Sequence, residues 1–314
     1  MTSRDIIRAV MLGGAVADAV GVPAEFKSRR YLSENPITDM VGYGTHKKPR
    51  GTFSDDTSMS LATLDSLTLG LDYDDMMERF GAWWYKGEYT SDGDTFDIGV
   101  TTSTAIDNYF FYKKAALECG LNDESANGNG SLMRIHPAVI YCLAHGISAE
   151  GSVEIIKNVS RLTHAHERSL VGCVIYYFIL KELIQNPEKA SVMRGIEASF
   201  DFVKDSPEMI YYMRLFSGEI VSAGEDEIKS SGYIVDTLEA AIWAVMTTND
   251  YKSSVIRAVN LGEDTDTVAA VAGTLSAALY GASGIPEDWL GALIGRDYIE
   301  GLCDKAYDAF TKAD

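Results

Sequence analysis

Residues 262–281, GEDTDTVAAVAGTLSAALYG, decide how this chain is read. Past Asp266, the residues Val268, Ala272, Leu275 and Leu279 fall on one helical face, with alanine and glycine between them. Side chains this small let neighbouring helices approach closely, so the segment is expected near the centre of the fold. Working outward, Asp5–Val20 repeats the theme with Ile7, Val10, Gly14 and Ala17 on one face. Asp236–Thr248, DTLEAAIWAVMTT, sets Leu238, Ile242 and Val245 at the same spacing. Alternating strand patterns of useful length are absent, as are Pro/Ser linkers, low-complexity tracts and repeats. These signals predict one all-α domain spanning residues 1–314. Glu88–Ser103 reads as a long loop, and a loop that long inside a packed domain is often functional.

Composition narrows the function. The chain has 314 residues, 46% hydrophobic and 23% charged, which is ordinary globular usage. Lys plus Arg is 27 and Asp plus Glu is 46, so the formal charge is 27 − 46 = −19. That balance disfavours a general nucleic-acid or anionic-membrane binder, because both partners present phosphates. The longest apolar run, Leu170–Leu180 (LVGCVIYYFIL), is shorter than the ~18 residues of a membrane span and predicts a buried core helix. The N-terminal MTSRDIIRAV is charged and lacks a signal-peptide core. Cys119, Cys142, Cys173 and Cys303 show no C-x-x-C spacing, so neither a zinc knuckle nor a thioredoxin motif is present. They read as reduced thiols of a cytoplasmic protein.

Two acidic loops carry the chemistry. Ser54-Asp55-Asp56-Thr57 and Glu263-Asp264-Thr265-Asp266-Thr267 each open an apolar helix. The simple explanation is N-capping, worth ~0.5–2 kcal/mol per helix, with acidic residues also suiting the helix dipole. One residue per helix suffices for that. Adjacent carboxylates repel, and repulsion raises their pKa values unless a cation intervenes. Metal binding explains the surplus: Asp oxygens with Ser/Thr hydroxyls are hard ligands, suited to Mg²⁺, Mn²⁺ or Ca²⁺ rather than to zinc. Asp55, Asp56, Asp264 and Asp266 carry four charges, which two divalent ions would balance. Other acidic runs do not qualify. Asp92–Asp97 starts like an EF-hand loop but has Asp97 and Ser103 where that loop needs Gly and Glu. Asp72-Tyr73-Asp74-Asp75 reads as a solvated helix start. Gly128 and Gly130 let backbone N–H groups approach an anion, and a helix expected from about Leu132 would add its positive end. The turn is not a Walker A motif, since no Gly-Lys-Ser/Thr follows.

Taken in order, these segments resemble the ADP-ribosylglycohydrolase family. The matching stretches are GGAVADAVGVPAEF (13–26), GTFSDDTSMSLA (51–62), FDIGVTTSTA (96–105), NGNGSLMRIHP (127–137), LTHAH (162–166), GYIVDTLEAAIWA (232–244) and GEDTDTVAAVAG (262–273). The resemblance implies a single all-α domain with a central metal cleft holding two Mg²⁺, Mn²⁺ sometimes substituting. It implies Ser54, Asp55, Asp56, Asp264, Asp266 and Thr267 as metal ligands, Ser54 standing where the family usually has Thr. It implies Glu25 as the proton-transfer residue over the metals, with Asp56 as the alternative. Asp97, Gly99, Asn129, Gly130, Ser131, His164 and Tyr233 would contact substrate. His166 is followed by Glu167 where the family often has Pro, which leaves a role for His166 open.

The activity implied is hydrolysis at C1″ of ADP-ribose, releasing it from an ADP-ribosylated protein, arginine being the favoured acceptor. ADP-ribose would be the product. The alternatives are a hydrolase of the same fold acting on another nucleotide or ADP-ribose derivative, and a silent crystallin-like binding protein. The silent reading predicts lost metal ligands, whereas every one of the six positions keeps an oxygen donor.

Overall fold

Thr265–Tyr280 and Arg4–Gly21 form the central helix pair of the computed structural model, which describes residues 3–311. Small residues set their separation. A β-carbon on Gly13 would fall 2.3 Å from Ala277 Cβ, and one on Gly273 would fall 2.3 Å from Ala17 Cβ. Nothing larger than glycine fits at either crossing point. Tyr251 Oη donates to the Gly13 carbonyl at 2.6 Å and ties a third helix, Tyr251–Asn260, to the pair. Helices Ile234–Met246 and Glu167–Gln185 pack around this centre, and every residue of Leu170–Leu180 is buried. Buried apolar side chains from Ile7 to Phe310 form one continuous cluster. Arg4–Ala24 is apolar and long enough to cross a membrane, but 89% of its most apolar window is buried inside the fold, as befits a core helix.

The described residues contain no strands, only isolated backbone pairings at Tyr43–Lys48, Leu121–His164 and Gly128–Tyr233. The all-α reading therefore holds. Asp72 caps Tyr73–Lys86, accepting from the Asp74 and Asp75 N–H groups at 2.9 and 3.1 Å. Asp92 and Asp94 each pair with Lys48 Nζ at 2.8 Å, which occupies the EF-hand-like run. All four cysteines are buried and free.

Two local expectations are corrected. The loop expected over 88–103 ends at Gly99, and a helix covers Val100–Phe110. Its first turns are rich in β-branched residues, which weakens the local helix signal. Burial of Thr102, Ala105 and Ile106 on one stripe overrides that propensity. The helix expected from about Leu132 begins instead at His136, after a turn over Ser131–Arg134. Pro137 is the cause. Proline fits the first turn of a helix but breaks an interior, so a helix from Leu132 could not have continued through it.

Candidate active site

The first acidic loop is held from two sides. Ser54 caps Asp55–Leu67: its hydroxyl lies 3.3 Å from the Asp56 N–H and 3.1 Å from Asp56 Oδ2. With Ser54 as cap, neither aspartate is needed for capping. From the opposite side, buried Asp18 on the N-terminal helix accepts the Ser54 N–H at 3.0 and 3.1 Å, the Thr57 N–H at 3.1 Å and the Thr57 hydroxyl at 2.6 Å. Asp18 was not singled out in the sequence. Its signal is a lone acid in the otherwise small and apolar run Met11–Ala24.

The second loop closes on the first. Asp264 precedes Thr265–Tyr280 without capping it through its side chain. Its Oδ2 instead accepts from Asn129 Nδ2 at 2.7 Å, and the same nitrogen reaches Thr237 Oγ1 at 2.8 Å. Asp266 Oδ1 accepts the Thr267 N–H at 3.0 Å. Thr267 Oγ1 donates to Asp56 Oδ2 at 3.2 Å, joining segments 211 positions apart in sequence. Glu25, Asp264 and Asp266 bring carboxylate oxygens within 4.8 Å of one another. Glu25 forms a second such group with His46 and Asp97, and His46 Nε2 contacts Glu25 Oε2 directly. His46, in the sequence THKK, carries no signal that would have marked it.

These groups are poorly compensated. Among the described residues, no lysine or arginine pairs with Asp18, Glu25, Asp55, Asp56, Asp97, Asp264 or Asp266. Burial, followed by neighbouring carboxylates, pushes Asp55, Asp56 and Asp266 well above the ordinary carboxylate range. Burial and the Asp264 charge push Glu25 up to about 8, and burial and the Glu25 charge do the same to Asp97. Burial alone raises Asp18 to about 6, against the hydrogen bonds that lower it. Asp56 Oδ1 and Asp266 Oδ2 are buried with no hydrogen-bond partner. Native interiors rarely leave such atoms orphaned. Clustered hard oxygens, two of them orphaned and none neutralised, are a donor set that fits divalent cations.

Above the carboxylates opens a cleft of about 420 Å³. Glu25, Asp55, Asp97 and Asp264 line one part, and Gly99, Gly128, Asn129, Gly130 and His164 line the rest. A second lobe of about 410 Å³ shares Glu25, Phe26, Gly232 and Asp264 with it. No lysine or arginine lines either lobe. The glycine turn is pinned through its pairing with Tyr233: the Asn129 N–H donates to the Gly232 carbonyl at 3.0 Å, and the Ile234 N–H donates to the Asn127 carbonyl at 3.0 Å. Asn129 N–H is thereby spent, whereas the Gly128 and Gly130 N–H groups, both on the cleft lining, have no hydrogen-bond acceptor among the described residues. Ser131 is fully buried, its hydroxyl accepting from Ser160 Oγ at 2.9 Å and touching Cys173, so its side chain faces the core rather than the cleft. The Tyr233 ring sits 5.8 Å from the Arg168 guanidinium and is not part of the cleft wall. His166 caps Glu167–Gln185, accepting the Arg168 N–H on Nδ1 at 3.2 Å.

Comparison with known proteins bears on this arrangement. The ADP-ribosylglycohydrolase family model matches residues 1–314. The chain is 34% identical to an ADP-ribosylarginine hydrolase Tri1 of Serratia proteamaculans, over 97% of this chain and 80% of that protein. It is 32% identical to an ADP-ribosyl-[dinitrogen reductase] glycohydrolase of Rhodospirillum rubrum, over 90% of this chain and 88% of that one. A solved structure titled ADP-ribosylglycohydrolase-related protein complex superposes with a TM-score of 0.81 at 30% identity, covering 98% of both chains. With its acidic loops joined across the helical core and the family pattern running its whole length, the chain belongs to the ADP-ribosylglycohydrolase family.

Proposed function

We propose that this protein hydrolyses the bond between C1″ of ADP-ribose and an arginine guanidino nitrogen of a modified protein. The carrying observation is the buried carboxylate group at the cleft, with Asp56 Oδ1 and Asp266 Oδ2 orphaned and no lysine or arginine in the cleft lining. The names of the Serratia and Rhodospirillum relatives support the glycosidic chemistry, and the former supports arginine as acceptor. Ser54, Asp55, Asp56, Asp264, Asp266 and Thr267 would hold two Mg²⁺, with Mn²⁺ as a substitute. Bound there, the cations would neutralise the carboxylates, grip vicinal hydroxyls of the distal ribose and polarise a water.

The protein's own groups divide the remaining work. Glu25 stands beside Asp264 and Asp266, with carboxylate oxygens within 4.8 Å of one another, and is in contact with His46, so a proton on its carboxyl has a neighbouring group to pass to. It is the candidate for moving a proton between water and the departing nitrogen, with Asp56 as the alternative. Asp97 shares the site with Glu25: its hydrogen bond favours the ionised Glu25, while burial and the Glu25 charge bias Asp97 towards the protonated form. Asn129 fixes Asp264, and the Gly130 N–H with His164 can meet ligand oxygens further along the cleft. The test is ADP-ribose release from ADP-ribosyl-arginine and ADP-ribosyl-serine proteins, each with Mg²⁺, Mn²⁺ or EDTA. Release from the arginine conjugate, dependent on metal, is expected. Activity confined to the serine conjugate would overturn the acceptor, and full activity in EDTA would overturn the metal.

A further inference from the structure

Arg134 is fully buried, and among the described residues no carboxylate pairs with it. Its Nη2 donates to the Val159 carbonyl at 3.2 Å and to Thr163 Oγ1 at 2.8 Å. The guanidinium stands 4.6 Å from the centroid of the Phe80 ring, and Nε and Nη1 have no acceptor. A buried cation without a counter-ion is costly, and a leucine or methionine would fill the same space at lower cost. What it touches explains its presence. Thr163 Oγ1 lies 2.8 Å from His164 Nδ1.

A hydroxyl has one proton to give and two lone pairs. Arg134 has donors only, so at Thr163 it must occupy a lone pair. Nδ1 is then the one acceptor within reach of the Thr163 proton. A proton on Nδ1 would leave the hydroxyl proton without a partner in a buried place. Burial, then the Arg134 charge, hold His164 down to about 3, so the ring is neutral. With Nδ1 as acceptor, the single ring proton sits on Nε2. Nε2 has no protein partner among the described residues, and it lies 3.3 Å from where a β-carbon on Gly130 would stand and 3.5 Å from one on Gly128. His164 lines the cleft at that point.

We propose that Arg134, acting through Thr163, is a positioning residue that fixes His164 as an Nε2–H donor aimed into the cleft beside the glycine turn, where it meets an acceptor oxygen of bound ADP-ribose. The inference rests on the functional reading above for its ligand, but the state of the ring can be measured without any ligand.

The experiment is long-range ¹H–¹⁵N correlation of the histidine rings in the whole protein, assigned with H164Q, together with calorimetry of ADP-ribose binding in Mg²⁺. Wild-type His164 should be the neutral Nε2–H form at pH 7. T163V should move the ring towards the Nδ1–H form and weaken ADP-ribose binding about tenfold, the scale of one hydrogen bond. T163S should restore both, which a purely structural role for the methyl group would not. R134M, where it folds, should reproduce T163V; where it does not, the T163V and T163S pair carries the test. An Nδ1–H or charged ring in the wild type overturns the proposal, as does T163V with unchanged tautomer and affinity. If the wild type neither binds ADP-ribose nor releases it from any conjugate, the functional reading fails, while the ring measurement still decides the relay.

Discussion

Replacing Asp18 by alanine tests whether the first acidic loop is built by the helix behind it. Asp18 accepts the Ser54 N–H, the Thr57 N–H and the Thr57 hydroxyl, all buried. Asp18→Ala leaves these donors without an acceptor, at roughly 1–3 kcal/mol each. Removing a carboxylate that burial has raised to about 6 offsets part of that loss. A net destabilisation of about 3–5 kcal/mol is expected in metal-free denaturant titration. The sharper readout is the metal increment. At a cation concentration of 100 Kd, binding to the native state adds about 2.7 kcal/mol. Loss of a group that orients metal ligands typically weakens affinity by about 10–100-fold. The same cation concentration then corresponds to 10 Kd or 1 Kd, and the increment falls to about 1.4 or 0.4 kcal/mol. Asp18→Asn should fall between wild type and alanine, because one amide oxygen can keep the three contacts now made to Oδ2 while the amide nitrogen faces the Ser54 N–H. A folded Asp18→Ala protein that keeps the wild-type Mg²⁺ increment would refute the reasoning.

Three further outcomes are expected. Glu25→Gln should slow turnover about 10²–10⁴-fold; since Glu25 stands within 4.8 Å of the Asp264 and Asp266 oxygens, Mg²⁺ affinity is titrated alongside, and an equal fall in affinity would make Glu25 a ligand instead. ADP-ribose should bind more tightly than AMP by calorimetry and lose that advantage in EDTA, because only ADP-ribose has the distal ribose; equal affinities would remove the cations from the sugar. Burial holds His136 down to about 3 against an ordinary 6.5, so the unfolded chain takes up a proton there that the folded chain refuses. That contribution to stability is complete above pH 6.5 and is lost as pH falls towards 3, so His136→Gln should show a shallower acid decline, by up to about 1.4 kcal/mol per pH unit.

What could be read from the sequence was whatever has a period or a local surplus. The small-residue faces around Gly14 and Ala272 announced a close helix pair, and glycine at 13 and 273 is where the backbones meet. Two aspartates beside a serine cap exceed what capping needs, and the surplus is what the fold gathers: Asp56 and Thr267 meet at 3.2 Å. Asp18 and His46 escaped because each is a single residue whose partners come from distant positions, Ser54 and Thr57 in one case and Glu25 in the other. Ser131 was read from its motif as a ligand contact, but the turn that exposes Gly130 rotates the next side chain onto Ser160 and Cys173. The late helix start at His136 was available in Pro137 and was outweighed by the expectation of a positive helix end behind the glycine turn.

That missing helix end leaves a question of charge. The chain carries −19 overall, and the cleft walls contain no lysine or arginine, yet the ligand proposed for it is a diphosphate. An exposed arginine in this cleft would pair with the carboxylates of Glu25, Asp55 or Asp97, compete with the cations and collapse the site. Positive potential placed behind the wall avoids that competition. Arg134 is such a charge: it is buried, it has no acid to neutralise it, and its path to the cleft runs through Thr163 and His164. The side chain that finally faces the ligand is a neutral imidazole, which cannot form an ion pair with the acidic end. On the proposed reading, the carboxylate end and the anion end can therefore share one cleft, the first to be balanced by cations and the second served by neutral N–H donors backed by a buried charge. Arg134 at the surface would neutralise the acids it now leaves free, which is the physical reason for accepting the cost of burying it.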